Sequence, residues 1–407
     1  MAQEPKAIKG SRTLMDHKNN FDATRLVAAA TVIYGHAHPL DQVPDVGFLG
    51  NSVEAFAVKV FFVISGYLIC ASWLSDEHVG RYLQRRVLRI IPALVLTVLL
   101  TIFVLGPMVS TLSMGTYFGS AGTWRYLWNI PLRPVYDLPG VFTDNLYRNA
   151  VNGSLWSLPA EFFMYLLMPV VLMLSTRLRN RWFFAAFTVV ATLFAIRYLR
   201  VEAPKFLLVP VVIFLATLLR LRWFFVVFTF VLTVFALFYV RIDPPAFSLV
   251  VYGTSLRSTL DVAPYFLIGA CFYLFRDRLR PDAVVALLLI GLVLLIQPSG
   301  ILAELALLTV APYAILAFAT ANTPVIRSAG RFGDISYGLY LYGFPVQQAV
   351  YHFFQNDLDP IRNTLISLPI AAALAFVSWH AVERRALGFK PRTPIPTPIP
   401  IPTIEPA

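Results

Sequence analysis

The chain has 407 residues, 58% of them hydrophobic and only 14% charged, with a formal net charge of +11. With a mean hydropathy of +0.69, so small a charged share excludes an ordinary soluble domain. It sets the fold class as all-α, a polytopic transmembrane helical bundle. The basic residues gather in connections between apolar runs, which fits loops facing anionic lipid and argues against a nucleic-acid partner.

The first twenty residues are polar and lack the apolar centre of a cleavable signal peptide, so 1–20 read as a cytoplasmic N-terminal segment. Apolar spans are expected near Leu26–Leu40, Val53–Leu74, Val87–Leu105, Leu155–Ser175, Trp182–Leu199, Phe206–Leu219 and Trp223–Val240. Five more follow near Leu260–Phe275, Ala283–Gln297, Ile301–Thr320, Ile335–Phe354 and Leu365–Val382. One or two short ones can be re-entrant, so the expectation is ten to twelve spans. Basic clusters precede the first span (Lys6, Lys9, Arg12) and follow the second (Arg81, Arg85, Arg86, Arg89), and they recur at alternate connections through Arg384, Arg385 and Lys390. Both termini are therefore expected in the cytoplasm, with Arg197–Lys205 the one basic connection that runs against the pattern.

A stretch starting at Arg181 aligns without gaps to one starting at Arg222, sharing Arg-Trp-Phe-Phe and a late Pro, which reads as a local duplication of scaffold helices. Cys70 and Cys271 lie within apolar spans and read as packing residues, neither disulfide partners nor metal ligands. From Thr393 the tail alternates Pro with Ile and Thr, the composition of an extended, polyproline-like segment.

Arg25 and His36 stand eleven positions apart at the first span. Eleven helical steps return to within about 20° of one face and advance about 16 Å. A cation at the membrane edge would thus stand below an imidazole near mid-bilayer. Such an imidazole can take and return a proton, or can be a structural histidine bonded to a neighbouring helix. His38 lies at the edge and is the weaker candidate, and Asp22 reads as a helix cap. Arg86 and Arg89, three apart, suit phosphate or pyrophosphate; ordinary positive-inside charge is the other reading.

Glu161 falls within the fourth span, in NGSLWSLPAEFFMY, where an unpaired carboxylate is costly. It could orient His36, pair Arg25, bind an acceptor hydroxyl, or serve the helix macrodipole. The Ser65-Gly66 step permits close helix approach, and Ser65 lacks the surroundings of a nucleophile elbow. GDISYGLYLYGFPVQQ, from Gly333, carries Tyr337, Tyr340 and Tyr342 and a helix-breaking Pro345. Its polar groups line an acceptor cavity or satisfy freed carbonyls. The long connection from Gly106 to Gly153 interleaves aromatic and charged residues, as carbohydrate sites and interfacial aromatic belts both do.

In this order FDATRLVAAATVIYGH, VKVFFVISGYLI, RYLQRRVLRIIPA, NGSLWSLPAEFFMY, GDISYGLYLYGFPV and WHAVERR resemble the motifs of the membrane-bound acyltransferase 3 family, which includes O-antigen, exopolysaccharide and nodulation-factor O-acetylases. The resemblance runs from Phe21 to Arg385, so 21–385 is taken as the transmembrane acyltransferase domain and 386–407 as the Pro-rich tail. The family's Arg/Lys–ten residues–His motif maps onto Arg25 and His36, its Arg-x-x-Arg onto Arg86 and Arg89, and its Trp–Ser–Glu motif onto Trp156, Ser157 and Glu161. Three motifs depart: Ala23-Thr24 replace a Gly-Leu pair, Gly343 stands where a His is common, and Arg384 follows Glu383 in place of Pro.

The resemblance implies an O-acyltransferase of the bacterial inner membrane. Acetyl-CoA or another short acyl-CoA is its donor, and a glycan or lipid-linked saccharide its acceptor. His36 and Glu161 would be catalytic, Arg25, Arg86 and Arg89 would hold the acyl-CoA, and Trp156, Ser157, Tyr337 and Tyr340 would support the acceptor. No metal and no permanently bound cofactor is expected. A polysaccharide or glycan flippase is the alternative, and it requires no acyl-CoA.

Overall fold

The computed structural model describes residues 19–148, 150–177, 181–199, 250–251 and 253–391. The expected spans Phe206–Leu219 and Trp223–Val240, the second copy of the repeat, the first eighteen residues and the tail beyond 391 lie outside the described residues.

Ten long helices carry the described fold: α1 Phe21–Leu40, α2 Val53–Ser75, α3 Val79–Leu100, α4 Ser157–Arg177 and α5 Arg181–Leu199, then α6 Leu256–Leu274, α7 Ala283–Ile296, α8 Gly300–Thr320, α9 Ser336–Phe353 and α10 Pro360–Ser378. Two small antiparallel hairpins pair β1 Gly47–Phe48 with β2 Asn51–Ser52 and β3 Val250–Val251 with β4 Thr254–Ser255. Among the described residues five segments are long and apolar enough to cross a membrane: Val53–Ser75, Val79–Val109, Gly153–Thr176, Leu302–Thr320 and Pro360–Leu387. Trp182–Ala195 and Ala283–Ile296 are shorter apolar helices.

Two expectations about the first three helices change. α3 begins at Val79, a full two turns before the expected Val87, because the His78 side chain accepts from the Arg81 N–H at 3.2 Å and caps it. The arginines therefore stand on helix. Asp22 is not a cap: Asn20 precedes the helix, and Asp22 lies in its first turn, 3.9 Å from Arg25.

α2 packs most extensively against α6. A methyl on Gly66 would stand 1.8 Å from the Phe266 carbonyl oxygen, and one on Gly269 2.1 Å from that of Val63. The close approach expected of the Ser65-Gly66 step is therefore made, reciprocally, with backbone against backbone. α1 runs between α2, α9 and α10. Its start is tied to the end of α8, with the Asn20 N–H donating to the Ala319 carbonyl at 2.9 Å. Gly300 and the start of α2 therefore share the opposite face of the bundle, beyond Leu40.

Pro345 does not break α9, which is continuous from Ser336 to Phe353. The proline leaves the Leu341 carbonyl without its helical donor, and Asn152 Nδ2 supplies one at 2.9 Å. At the far end of α10, Trp379–Glu383 widens into a π-turn. Trp379 then lies against Gly333, whose φ of +108° and lack of a Cβ leave room for the indole.

Candidate active site

At the Arg25 end of the bundle, α1, α3 and the α8–α9 connection meet on one carboxylate. Arg89 Nη2 lies 2.6 Å and Arg25 Nη1 3.2 Å from the same Asp334 oxygen, while Ser336 Oγ donates to the other at 2.5 Å. Burial alone would push the Asp334 carboxyl up; the guanidiniums of Arg89 and then Arg25 outweigh it and hold it at about 2. The Arg89 guanidinium also covers the rings of Tyr337 and Trp379, 5.7 and 6.0 Å from their centres.

Arg86 follows a different path. Its Nη2 donates to Ser72 Oγ at 3.2 Å, its guanidinium covers Tyr82 and Tyr165, and its Nε is closed off with no hydrogen-bond partner. Both arginines are half-buried. A fourth cation completes the group: burial, then Arg89 and Arg86, lowers the Lys390 ammonium to about 8. Against Arg25, Arg86, Arg89 and Lys390 stand Asp22, Asp334 and Glu383. This leaves a positive surplus with an unpartnered N–H, a setting for an anion. The space beside Asp334 is small, about 10 Å³, and is lined by Asp22, Gly330 and Ser336.

From Asp334, α9 carries a ladder of side chains toward the other face. Tyr337 donates to the Ile90 carbonyl at 3.1 Å, and Tyr340 bonds Ser157 Oγ at 2.6 Å and the Ser154 carbonyl at 2.8 Å. Phe344 packs edge-on to His36 with ring centres 5.2 Å apart, Gln347 donates to the Ile33 carbonyl at 2.8 Å, and Tyr351 to that of Ala37 at 3.1 Å. Steps of three and four keep these groups on one face of α9, toward α1 and the Asn152–Ser157 segment.

Arg25 and His36 thus face the same neighbour, as their spacing predicts. His36 stands four residues before the end of α1, about 6 Å along the axis. It is nearer the far face than the expected mid-bilayer position. Its Nδ1 is closed off without a partner, and the residue is half-buried. His38, by contrast, is spent on a local bond from Nδ1 to the Tyr34 carbonyl, 3.1 Å.

Glu161 is not joined to His36 or Arg25 by any hydrogen bond among the described residues. Its Oε1 accepts from Ser65 Oγ at 3.0 Å and from the Tyr165 hydroxyl. The carboxylate is held from α2 by Ser65 and from its own helix α4 by Tyr165. Trp156 packs against the apolar core one residue before Ser157.

The acyltransferase-domain family model matches residues 18–205. That match takes in just under half of the chain. Over 377 residues the chain is 28% identical to an O-acetyl transferase of Shigella phage Sf6, covering 91% of this chain and 97% of that protein. It is 31% identical over 186 residues to Nodulation protein 10 of Rhizobium leguminosarum bv. viciae, covering 43% of this chain and 48% of that one. A further match is Regulator of hypoxia-inducible factor 1 of Caenorhabditis elegans, 27% identical over 172 residues, 40% of this chain and 30% of that protein. No solved structure matches.

The matched segment holds Arg25, His36, Arg86, Arg89, Trp156, Ser157 and Glu161, while Asp334, Tyr337, Tyr340 and Lys390 come from the later half of the chain. Sequence reasoning passed over Asp334 and Lys390. Asp334 stood in a quoted motif beside its tyrosines, and Lys390 counted only as inner-loop charge.

Proposed function

We propose that this protein is an inner-membrane O-acyltransferase of bacteria, with ten to twelve spans and both termini in the cytoplasm. It moves an acetyl or other short acyl group from cytoplasmic acyl-CoA to a hydroxyl of an exported or lipid-linked glycan. The carrying observation is that Arg25 and His36, about 16 Å apart along α1, both face the ladder on α9. One end of that ladder is rich in cations and the other presents an imidazole.

In this reading the CoA phosphates displace Asp334 and engage Arg25, Arg89, Arg86 and Lys390, and the pantetheine arm extends along α9. His36 Nε2 takes the proton of the acceptor hydroxyl as its oxygen attacks the thioester carbon. The C–S bond breaks, and the thiolate of CoA recovers a proton. Tyr340 and Ser157 line the path between. Glu161, fixed by Ser65 and Tyr165, supplies a negative field rather than a bond to the imidazole. The similarity to a phage O-acetyl transferase across nearly its whole length supports acyl transfer over the flippase reading, which needs no cationic anchor for CoA.

The test is a purified preparation in lipid nanodiscs given labelled acetyl-CoA and the host's de-O-acylated glycan. The proposal expects thiol release and an ester on the glycan, both lost in H36A. Glycan NMR of a gene-deletion strain against its parent identifies the acyl group and its position. An unchanged ester pattern there contradicts the proposal.

A further inference from the structure

On the face opposite Asp334, beyond the end of α1, a cavity of about 450 Å³ opens between α2, α6 and the start of α8. One wall is the β1–β2 turn, where Leu49 and Gly50 both have positive φ and bring Asn51 over the opening. Another is the first three turns of α6, with Arg257, Asp261 and Tyr265, and the third is the start of α8, with Glu304.

Lys59 lies at its base with only 3% of its side chain exposed. Its ammonium donates to Asp261 Oδ2 at 3.0 Å and to Asn51 Oδ1, and it faces the Tyr265 ring 5.6 Å from the centre. A lysine sunk about two turns into an apolar helix is costly unless paired. Pairing alone does not account for the site, because Asp261 keeps 39% of its side chain exposed toward the cavity.

The charges balance, Lys59 and Arg257 against Asp261 and Glu304, so the site has no call for an anion, unlike the arginine cluster across the membrane. Carboxylates that accept, cations that donate and one tyrosine ring, in a cleft within the usual range of about 300–1,000 Å³, suit an uncharged polyol. The imidazole lies across α2 from the cavity, since five residues turn Lys59 about 140° around that helix from Glu54. Glu54, five residues before Lys59 on α2, packs onto Gly35 beside His36, where a methyl would stand 2.5 Å from Glu54 Oε2. Lys59 is about 7.5 Å further along the same helix.

We infer that this cavity is a saccharide subsite that grips the acceptor glycan a sugar or two away from the hydroxyl presented to His36. The inference rests on the glycan-acceptor reading above and adds to it that the acceptor is an oligosaccharide, recognised through its neutral hydroxyls.

The probe is a set of de-O-acylated oligosaccharides released by mild acid from the host's own surface polysaccharide, with the matching monosaccharides as controls. Saturation-transfer NMR and initial rates are read on the full protein in nanodiscs, for wild type, Asp261→Asn and Glu304→Gln. Both substituted groups reach the cavity rim, so the two variants give independent chances of a folded protein. The inference expects KM for the oligosaccharide to rise tenfold or more in each, kcat and KM for acetyl-CoA to stay put, and monosaccharides to be poor acceptors. Unchanged oligosaccharide KM and saturation transfer in folded variants would overturn it. So would saturation transfer to phosphatidylethanolamine headgroups in place of the sugar. Should wild type bind the oligosaccharide but never acylate it, the enzyme reading fails while the binding site stands.

Discussion

Arg89 and Asp334 are 245 residues apart in sequence and 2.6 Å apart in space, and the oxygen that Arg89 meets is the one Arg25 also meets. A single carboxylate oxygen therefore fixes α1 against α3 at the end of the bundle where donor phosphates are proposed to bind. Asp334 does for two guanidiniums what a phosphate oxygen would do, and keeps them converged until one arrives.

Asp334→Asn should leave two half-buried guanidiniums without their anion, at a cost of about 3 kcal/mol. Thermal unfolding in nanodiscs should show a lower Tm for the variant and a larger rise on adding acetyl-CoA than wild type shows. Because the folded carboxyl is depressed to about 2, its stabilisation is present above the ordinary carboxylate value of about 4. It is lost as pH falls from there through 2, an acid limb the variant should lack. Equal Tm shifts on adding acetyl-CoA would contradict the substitution of phosphate for carboxylate.

Lys390 should give two opposite pH trends. Its folded value of about 8 lies below the ordinary lysine range. Keeping it charged costs stability below pH 8, and that cost is relieved as pH rises from 8 toward about 10.4. Acetyl-CoA affinity should move the other way, flat below pH 8 and weakening above it as the ammonium is lost. Lys390→Arg should hold the affinity flat to higher pH. Coincident Kd profiles for the two proteins would remove Lys390 from the donor site.

Asn152 and Pro345 should be coupled through the Leu341 carbonyl. Asn152→Ala orphans a buried acceptor at about 1–3 kcal/mol. Pro345→Ala restores the helical N–H, so the double variant should be less destabilised than the sum of the singles. Additive losses in a denaturation cycle would show that the carbonyl is satisfied some other way.

Gly66→Ala should be far worse than a methyl is elsewhere, because the obstacle is the Phe266 carbonyl and no rotamer change relieves it. A loss at or above the upper end of the usual overpacking range of about 1–3 kcal/mol is expected. Turnover should fall with it, since Ser65 and Glu161 move when α2 and α6 part. A wild-type Tm and rate would contradict the packing account.

Much of this was legible in the chain, for local reasons. Apolar runs marked the described helices to within a few residues at most ends. The eleven-residue spacing put Arg25 and His36 on one face because helix geometry alone decides that, and Ser65-Gly66 announced a close crossing. What escaped depended on partners distant in sequence. Nothing near Glu161 says that its carboxylate goes to Ser65, 96 residues earlier, rather than to His36. Nothing near Pro345 says that Asn152 will repair its helix, and Lys390 looks like any basic residue after a span until the fold brings it beside three arginines.

The central claim is that the donor is held at the Asp334 end and the chemistry occurs at the His36 end. It is tested most directly by initial rates of CoA thiol release across an acetyl-CoA titration, for wild type, H36A and R89A in the same nanodiscs. H36A should lose kcat by about 10²–10⁴-fold with KM little changed, the range for removing a general base, while R89A should mainly raise KM. Release by H36A at the wild-type rate would contradict the account.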